Sequence, residues 1–185
     1  MQSTLVVKLQ PTLEQAARLL TTMDRFNAAC NAIATVAFAE QTANKFKLQS
    51  LVYARIREEF GLSAQMAVRA MGKVCEVFKR DKRIQPHFRP HGAMVYDQRI
   101  LSWKAADRIS ILTLSGRESI PVVMGEYQRT RLTRVRGQAD LAYRDGAFYL
   151  HVGGDVPEPP PEKPHDWLGV DLGIKNLAAD SDGET

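Results

Sequence analysis

The chain has 185 residues, of which 44% are apolar and 25% are charged, as in an ordinary globular protein of one or two domains. No apolar run approaches the roughly 20 residues that a membrane-spanning helix needs. Residues 1–11 lack the basic start and apolar core of a signal peptide, so the sequence predicts a cytoplasmic protein with no membrane partner.

Charge is divided unevenly along the chain. Residues 1–83 carry 13 basic and 7 acidic side chains, residues 84–157 carry 10 and 7, and residues 158–185 carry 2 and 7. The net charge of +4 is therefore the sum of +6, +3 and −5. A basic body favours a polyanionic partner such as nucleic acid, although a modest excess is also typical of an ordinary soluble surface.

The first elements predicted are a strand and a long helix. The β-branched run at 4–9 predicts a strand, and Thr12 with Gln15 three residues later predicts a capping box. Apolar and small residues then recur at three- and four-residue steps, which places them on one helix face open to close approach by another helix. These residues are Leu13, Ala16, Leu20, Met23, Asn27, Cys30, Ala34 and Ala37.

Two more helices follow. One is predicted over 48–60 with Gly61 as a left-handed cap, and the next begins at the capping residue Ser63. The apolar stripe of this third helix contains Ala67, Ala70, Met71, Val74, Val77 and Phe78, and the opposite side contains Gln65, Arg69, Lys73 and Arg80. Cys30 and Cys75 lie inside predicted helices, so they are expected to be buried thiols and not a disulfide or zinc pair.

Beyond Pro90 the pattern changes to short strands at 99–104, 109–114, 120–124, 139–144 and 147–152. Asp145-Gly146 is a strong hairpin signal between the last two. The strand at 4–9 most simply pairs with these later strands, which gives a β-barrel with a helical insertion. Residues 156–164 carry five of the nine prolines and predict a semi-rigid linker at a domain boundary.

Asp171 stands out after the linker, within the segment WLGVDLGIKNLAADSDG at 167–183. Two apolar runs around residues 173–176 predict a β-hairpin, and a carboxylate inside such a run is costly unless it is paired or binds a cation. Three interpretations are open on the residues alone. Asp171 is a ligand of a two-metal nuclease, a nucleotide and metal ligand of an actin-like ATPase, or an Asp capped by backbone amides at a strand end.

Several stretches, in order, resemble the N-terminal part of the TnpB family, the OrfB-type transposon-encoded RNA-guided DNA endonucleases related to compact type V CRISPR effectors. They are LVVKLQPTLEQ, SAQMAVRAMGKVCEVFKR, GEYQ, GAFYLHV with VPEPP, and LGVDLGIKNLAADSDG. The last is the most specific, because it matches the first motif of the family's RuvC nuclease domain. The resemblance covers essentially the whole chain.

The resemblance implies an α+β fold. Residues 1–11 and 84–157 would form an OB-like wedge β-barrel, and residues 12–83 would form a three-helix recognition insertion. Residues 158–165 are the Pro-rich linker, and residues 166–185 would begin a truncated RuvC domain of the ribonuclease H-like type.

By the same resemblance, Asp171 is the first of three catalytic acids that bind Mg²⁺. The other two acids and a zinc ribbon are not matched in this sequence, which contains no CxxC pair. One carboxylate cannot hold two magnesium ions in cleavage geometry, so we expect the 185 residues alone to cut nothing. A lone hairpin is also marginally stable, so residues 166–185 are expected to be poorly ordered or loosely docked.

The partners implied are a guide RNA and the target DNA. Candidate phosphate ligands form two clusters, which are Lys79, Arg80, Lys82 and Arg83, and Arg129, Arg131, Arg134 and Arg136. Tyr127, Phe88 and His87 are candidates for stacking on unpaired bases. Gln65, Arg69 and Lys73 are expected to contact the target-adjacent DNA, with a solvent-facing stripe as the alternative.

The leading prediction is therefore the nucleic-acid-binding region of a TnpB-like RNA-guided endonuclease. The alternatives are a non-catalytic nucleic-acid-binding remnant of a transposase gene and, from another class, the actin-like ATPase. The oligomeric state is not indicated.

Overall fold

The computed structural model describes residues 2–105, 107–131 and 135–155, together with residues 170–171 and 179–180. It contains four helices and nine strands in these ranges. The helices are α1 (Leu13–Ala39), α2 (Lys45–Phe60), α3 (Ala64–Arg80) and α4 (Glu126–Arg131). The strands are β1 (Gln2–Leu9), β2 (Met94–Tyr96), β3 (Leu101–Ala105), β4 (Arg108–Thr113), β5 (Gly116–Val123), β6 (Val135–Arg144), β7 (Ala147–Asp155), β8 (Val170–Asp171) and β9 (Ala179–Asp180).

The ends of the first three helices are set by their capping residues. Thr12 and Gln15 form the predicted capping box of α1, in which each side chain bonds the backbone N–H of the other. Gly61 ends α2 with a φ of 67°, and the Ser63 hydroxyl accepts a hydrogen bond from the backbone of α3. These three predictions are confirmed. Helix α2 begins three residues before its predicted start, because the Asn44 side chain caps it.

The apolar faces of α1 and α3 pack against each other as the periodicity predicts. The Cys30 Sγ atom lies 3.9 Å from the Ala70 carbonyl oxygen, a close approach that the small residues on both faces permit. Both cysteines are free and buried, as predicted. The prediction is wrong for Leu13, which is 93% exposed because it lies in the first turn of α1, where no other helix covers it.

Seven strands form one antiparallel sheet in the order β2-β6-β7-β1-β5-β4-β3. The N-terminal strand β1 lies in its centre, where Val6 pairs with His151 of β7 and Lys8 pairs with Val123 of β5. The predicted pairing of the first strand with the late strands is therefore confirmed. Asp145 and Gly146 both have positive φ, 51° and 77°, as a type I′ turn between β6 and β7 requires.

The sheet is curled, so that strands far apart in its order approach each other. The buried Tyr96 of edge strand β2 donates from its hydroxyl to the Leu112 carbonyl of β4 at 3.0 Å. Within the described ranges, β2 and β3 do not pair, so the expected barrel is a half-barrel. One hydrophobic core, which includes Phe26, Phe78 and Leu150, joins this sheet to the three long helices.

The remaining part of the chain is described only at two short strands. β8 and β9 pair antiparallel, with Val170 opposite Asp180 and Asp171 opposite Ala179. The linker at 158–165 lies outside the described residues, and the domain division stays a prediction. Among the helices that the structure describes, none has the length and apolar character needed to cross a membrane.

Candidate nucleic-acid interface

An open groove of about 650 Å³ lies between the start of α2, one side of α3 and strands β2 and β6. A second cavity of about 520 Å³ continues it toward the β2–β3 loop. The two share Lys45, Val68, Arg69 and Gln138 in their walls, so they form one continuous surface. We call this surface the interhelical groove.

Positive charge dominates the interhelical groove. Its basic side chains are Lys45, Arg69, Lys73, Lys79, Lys82 and Arg99, and its acidic side chains are Glu76 and Asp97. Among the residues that the structure describes, only Arg69 of these six cations is in an ion pair, and Lys73 bonds neutral acceptors. The other four, Lys45, Lys79, Lys82 and Arg99, have no ion-pair partner there. A concave surface with this surplus attracts polyanions.

Asp97 forms the floor of the groove and fixes two α3 side chains. Its Oδ2 atom accepts hydrogen bonds from Arg69 Nε at 2.7 Å, from Arg69 Nη2 at 2.5 Å and from the Gln65 amide. Its Oδ1 atom accepts from the Arg99 backbone N–H at 2.9 Å. Burial raises the pKa of Asp97, but the hydrogen bonds from Arg69, Arg99 and Gln65 together outweigh it and hold the pKa below its ordinary value.

Lys73 lies one turn after Arg69 on the same side of α3. Its ammonium group donates to Asn27 Oδ1 at 2.9 Å and to the Ala93 carbonyl at 2.5 Å, and it lies 5.0 Å from the Phe88 ring centroid. Burial lowers the pKa of Lys73, while the nearby Cys30 and Asp140 act in the opposite direction. This amine therefore connects α3 to α1 and to the loop that precedes β2.

The structure brings Gln65, Arg69 and Lys73 together on one wall, as their spacing predicts. All three are partly buried and bonded within the protein, and they line the open groove. Their predicted contact with DNA stays a prediction. Phe88 is only 8% exposed, because it packs beneath Lys73, and it is not available for stacking on bases.

The basic run at the end of α3 is divided between two environments. Lys79 and Lys82 line the interhelical groove. Arg80 and Arg83 are exposed outside it, and Arg83 is paired with Asp81 at 3.1 Å. The structure therefore places only two of these four residues where a ligand in the groove would meet them.

The second basic cluster lies on and after α4. Tyr127 is 58% exposed, and the Arg131 guanidinium carbon lies 3.8 Å from the centroid of its ring. Arg129 is exposed on the same short helix. Arg134 lies outside the described residues, and Arg136 lies in β6, where only the backbone is described.

Asp171 lies in β8, in the short antiparallel pair described above. Its predicted role as a magnesium ligand and catalytic acid stays a prediction. Among the residues that the structure describes, no three His, Cys, Asp or Glu side chains are grouped so that they could hold a metal ion.

Sequence reasoning missed several residues of the groove, among them Lys45, Phe46, Asp97, Gln98, Arg99 and Gln138. Phe46 is 83% exposed, which is unusual for an aromatic side chain in a helix. The signal that was available is its position between two lysines directly after the Asn44 cap. No comparable local signal marks Gln98 or Gln138, because Gln98 lies in the β2–β3 turn and Gln138 lies in β6, both far from α2 and α3 in sequence.

Among known proteins, the chain finds its similarity in solved structures. No family model matches the chain, and no curated protein matches it. The chain is similar to a chain in the cryo-EM structure of the Cas12f1-sgRNA-target DNA complex, at 12% sequence identity and a TM-score of 0.48. The match covers 98% of this chain and 54% of the other, so this chain spans about half of that chain's length. The function is therefore inferred from the groove and from the sequence motifs.

Proposed function

We propose that this chain binds nucleic acid through the interhelical groove, as the recognition region of an RNA-guided DNA endonuclease of the TnpB type. The observation that carries the proposal is the charge of the groove, where six basic side chains face two acidic ones. The motif at 168–183 supports the assignment to the TnpB type. The groove is the surface that we assign to duplex DNA, and guide RNA is the second partner.

Phosphate contacts supply the affinity in this proposal. Arg69 is neutralised by Asp97, whereas Lys45, Lys79, Lys82 and Arg99 retain their charge for the ligand. Each phosphate that a cation neutralises releases condensed counterions from the nucleic acid. With about four such contacts, the logarithm of the binding constant should fall with the logarithm of salt concentration with a slope of about −3 to −4.

Base contacts are assigned to the polar amides of the groove. Gln65, Gln98 and Gln138 lie around the second cavity, and a glutamine amide matches the edge of adenine in the major groove. Gln65 is held in one orientation, because its Nε2 donates to Asp97 and its Oε1 accepts from Arg99 at 3.4 Å. The exposed Phe46 adds apolar surface of the kind that contacts a thymine methyl group.

Asp171 is assigned the role of the first metal-binding acid of the nuclease site. Bound Mg²⁺ would supply charge stabilisation at the phosphodiester in the complete site. One such carboxylate is too few to hold two ions in position. We therefore expect the 185-residue chain to bind nucleic acid and to leave it uncut in the presence of Mg²⁺.

The test is fluorescence anisotropy of a labelled 30-base-pair DNA duplex titrated with the 185-residue chain, over a series of salt concentrations. The double variant Lys79→Gln and Lys82→Gln removes two positive charges from the groove. We expect it to weaken duplex binding about tenfold or more at low salt and to reduce the magnitude of the salt slope by about 2.

The matched control removes the same charge from the far edge of the sheet. Lys104→Gln with Arg108→Gln, in β3 and β4, should change affinity about twofold or less, because neither residue lines the groove. Equal losses in the two double variants would show that only net charge matters and would refute the assignment of the groove. A chain that binds neither duplex DNA nor structured RNA at low salt would refute the function itself.

A further inference from the structure

Helix α4 presents an aromatic ring with a guanidinium already stacked on it. Tyr127 and Arg131 are four residues apart, so they lie on the same side of the helix. The Arg131 guanidinium carbon is 3.8 Å from the Tyr127 ring centroid, well within the range of a cation–π contact. Because Tyr127 is nevertheless 58% exposed, the ring face away from Arg131 is open to solvent.

Two other polar side chains of α4 are bonded locally, and the acidic Glu126 is exposed at the start of the helix. Gln128 Oε1 accepts the Gly125 backbone N–H at 3.0 Å, and the Thr130 hydroxyl donates to the Glu126 and Tyr127 carbonyls. Arg129 uses its Nε on the Met124 carbonyl and is otherwise exposed. The ring and the two guanidinium groups are therefore the surfaces that α4 offers to an anionic ligand, and they outnumber the single exposed carboxylate of Glu126.

This surface is separate from the interhelical groove. None of the six residues of α4 lines either cavity of the groove. α4 packs against β1, which lies two strands from β6 and three strands from β2 in the sheet. Neighbouring strands are about 4.8 Å apart, so β1 is about 10 Å from the nearer groove strand along the sheet.

We infer that α4 is a second nucleic-acid site, which takes an unpaired base on the open face of Tyr127 and the adjoining phosphates on Arg131 and Arg129. Stacking suits this geometry because every base has a flat apolar face, whereas the bases of a duplex are already stacked and their faces are covered. The Arg131 contact holds the ring in place before the ligand arrives, which reduces the entropy lost on binding. The inference rests on the proposed function, since it assumes that the chain binds nucleic acid. It assigns duplex DNA to the interhelical groove and single-stranded nucleic acid to α4.

The test uses the 185-residue chain with three labelled probes, which are a 20-nucleotide RNA strand, a DNA strand of the same sequence and the DNA duplex. Tyr127→Ala should weaken binding to one or both single strands about tenfold and change duplex affinity no more than about twofold. Tyr127→Phe, which keeps the ring, should bind all three probes as the parent chain does. Arg131→Gln should weaken single-strand binding as well.

The outcomes separate this inference from the proposed function. If Tyr127→Ala weakens binding to both single strands, the base alone is recognised. If it weakens binding to RNA only, the site prefers RNA and recognises its 2′-hydroxyl. Either result supports the site. Unchanged single-strand affinity in Tyr127→Ala, an equal loss for the duplex, or a parent chain that binds only duplex would each overturn it while leaving the groove intact. A parent chain that binds none of the probes refutes the proposed function and this inference together. Tyr127 is exposed, so we expect its variants to fold, and circular dichroism checks this.

Discussion

Replacement of Asp97 by alanine should destabilise the protein by about 2 kcal/mol. The Asp97 side chain is 6% exposed and accepts from Gln65, from Arg69 and from the Arg99 backbone. Breaking a fully buried pair by removing one partner costs about 3 to 5 kcal/mol, because the other charge is left without compensation. The Arg69 side chain is 30% exposed, so water recovers part of this loss and the figure falls to about 2 kcal/mol.

The assay is urea denaturation at pH 7, with Asp97→Asn as the graded variant. Asparagine keeps the shape of the side chain and one of its two acceptor oxygens, so Asp97→Asn should lower the free energy of unfolding by about 1 kcal/mol. Arg83→Gln breaks an ion pair in which the arginine is 90% exposed, and it should leave the denaturation midpoint unchanged. An Asp97→Ala chain as stable as its parent, with an equal m-value, would refute the account of the groove floor.

The same interaction gives a pH dependence. The pKa of Asp97 is lower in the folded protein than its ordinary value of about 3.9, so the unfolded chain takes up the proton first as pH falls. The stability that Asp97 contributes is present above about pH 5 and decreases as pH falls below 4 toward the folded pKa. The difference between parent and Asp97→Ala should therefore be constant from pH 7 to 5 and shrink at pH 3. A difference that grows toward low pH would contradict this sign.

Three further predictions concern the fold. Gly61→Ala should cost about 1 kcal/mol in thermal or urea unfolding, because φ is 67° there although the space around it is open. Tyr96→Phe should cost about 1 kcal/mol in the same assay, since it leaves the partly buried Leu112 carbonyl without its 3.0 Å donor. Burial raises the pKa of Cys30 to about 12 and also raises the pKa of Cys75. A thiol reagent at pH 8 should therefore label neither cysteine until urea unfolds the chain. Fast labelling of the native protein would contradict the packing of α1 against α3.

Local chemistry made much of the fold predictable. Thr12, Gly61 and the Asp145-Gly146 turn act on backbone only a few residues away, so short sequence patterns are sufficient to place them. The periodicity of α1 gave its buried face, but it does not indicate how far along the helix the neighbouring elements extend. For that reason Leu13 was assigned to the core although it is exposed.

The candidate site was less predictable, because it is assembled from distant positions. The spacing of Gln65 and Arg69 placed them on the polar side of α3, but their partner Asp97 is 32 and 28 residues away. Nothing in the pattern around Asp97 distinguishes it from an exposed turn residue. The three-residue strand β2 and the six-residue helix α4 were also missed, since both are too short for a periodic signal.

The position of β1 at the centre of the sheet has a consequence for synthesis on the ribosome. Lys8 lies opposite Tyr149 in the ladder of β1 and β7, so β1 must wait until the much later β7 has been made. α1, α2 and α3 can pack together meanwhile, because most of their contacts are with one another and local contacts form early. During that interval β1 exposes two unpaired edges, which makes the nascent chain prone to aggregation. A chaperone or a rapid synthesis of β7 should therefore matter more for the yield of this protein than the stability of its helices.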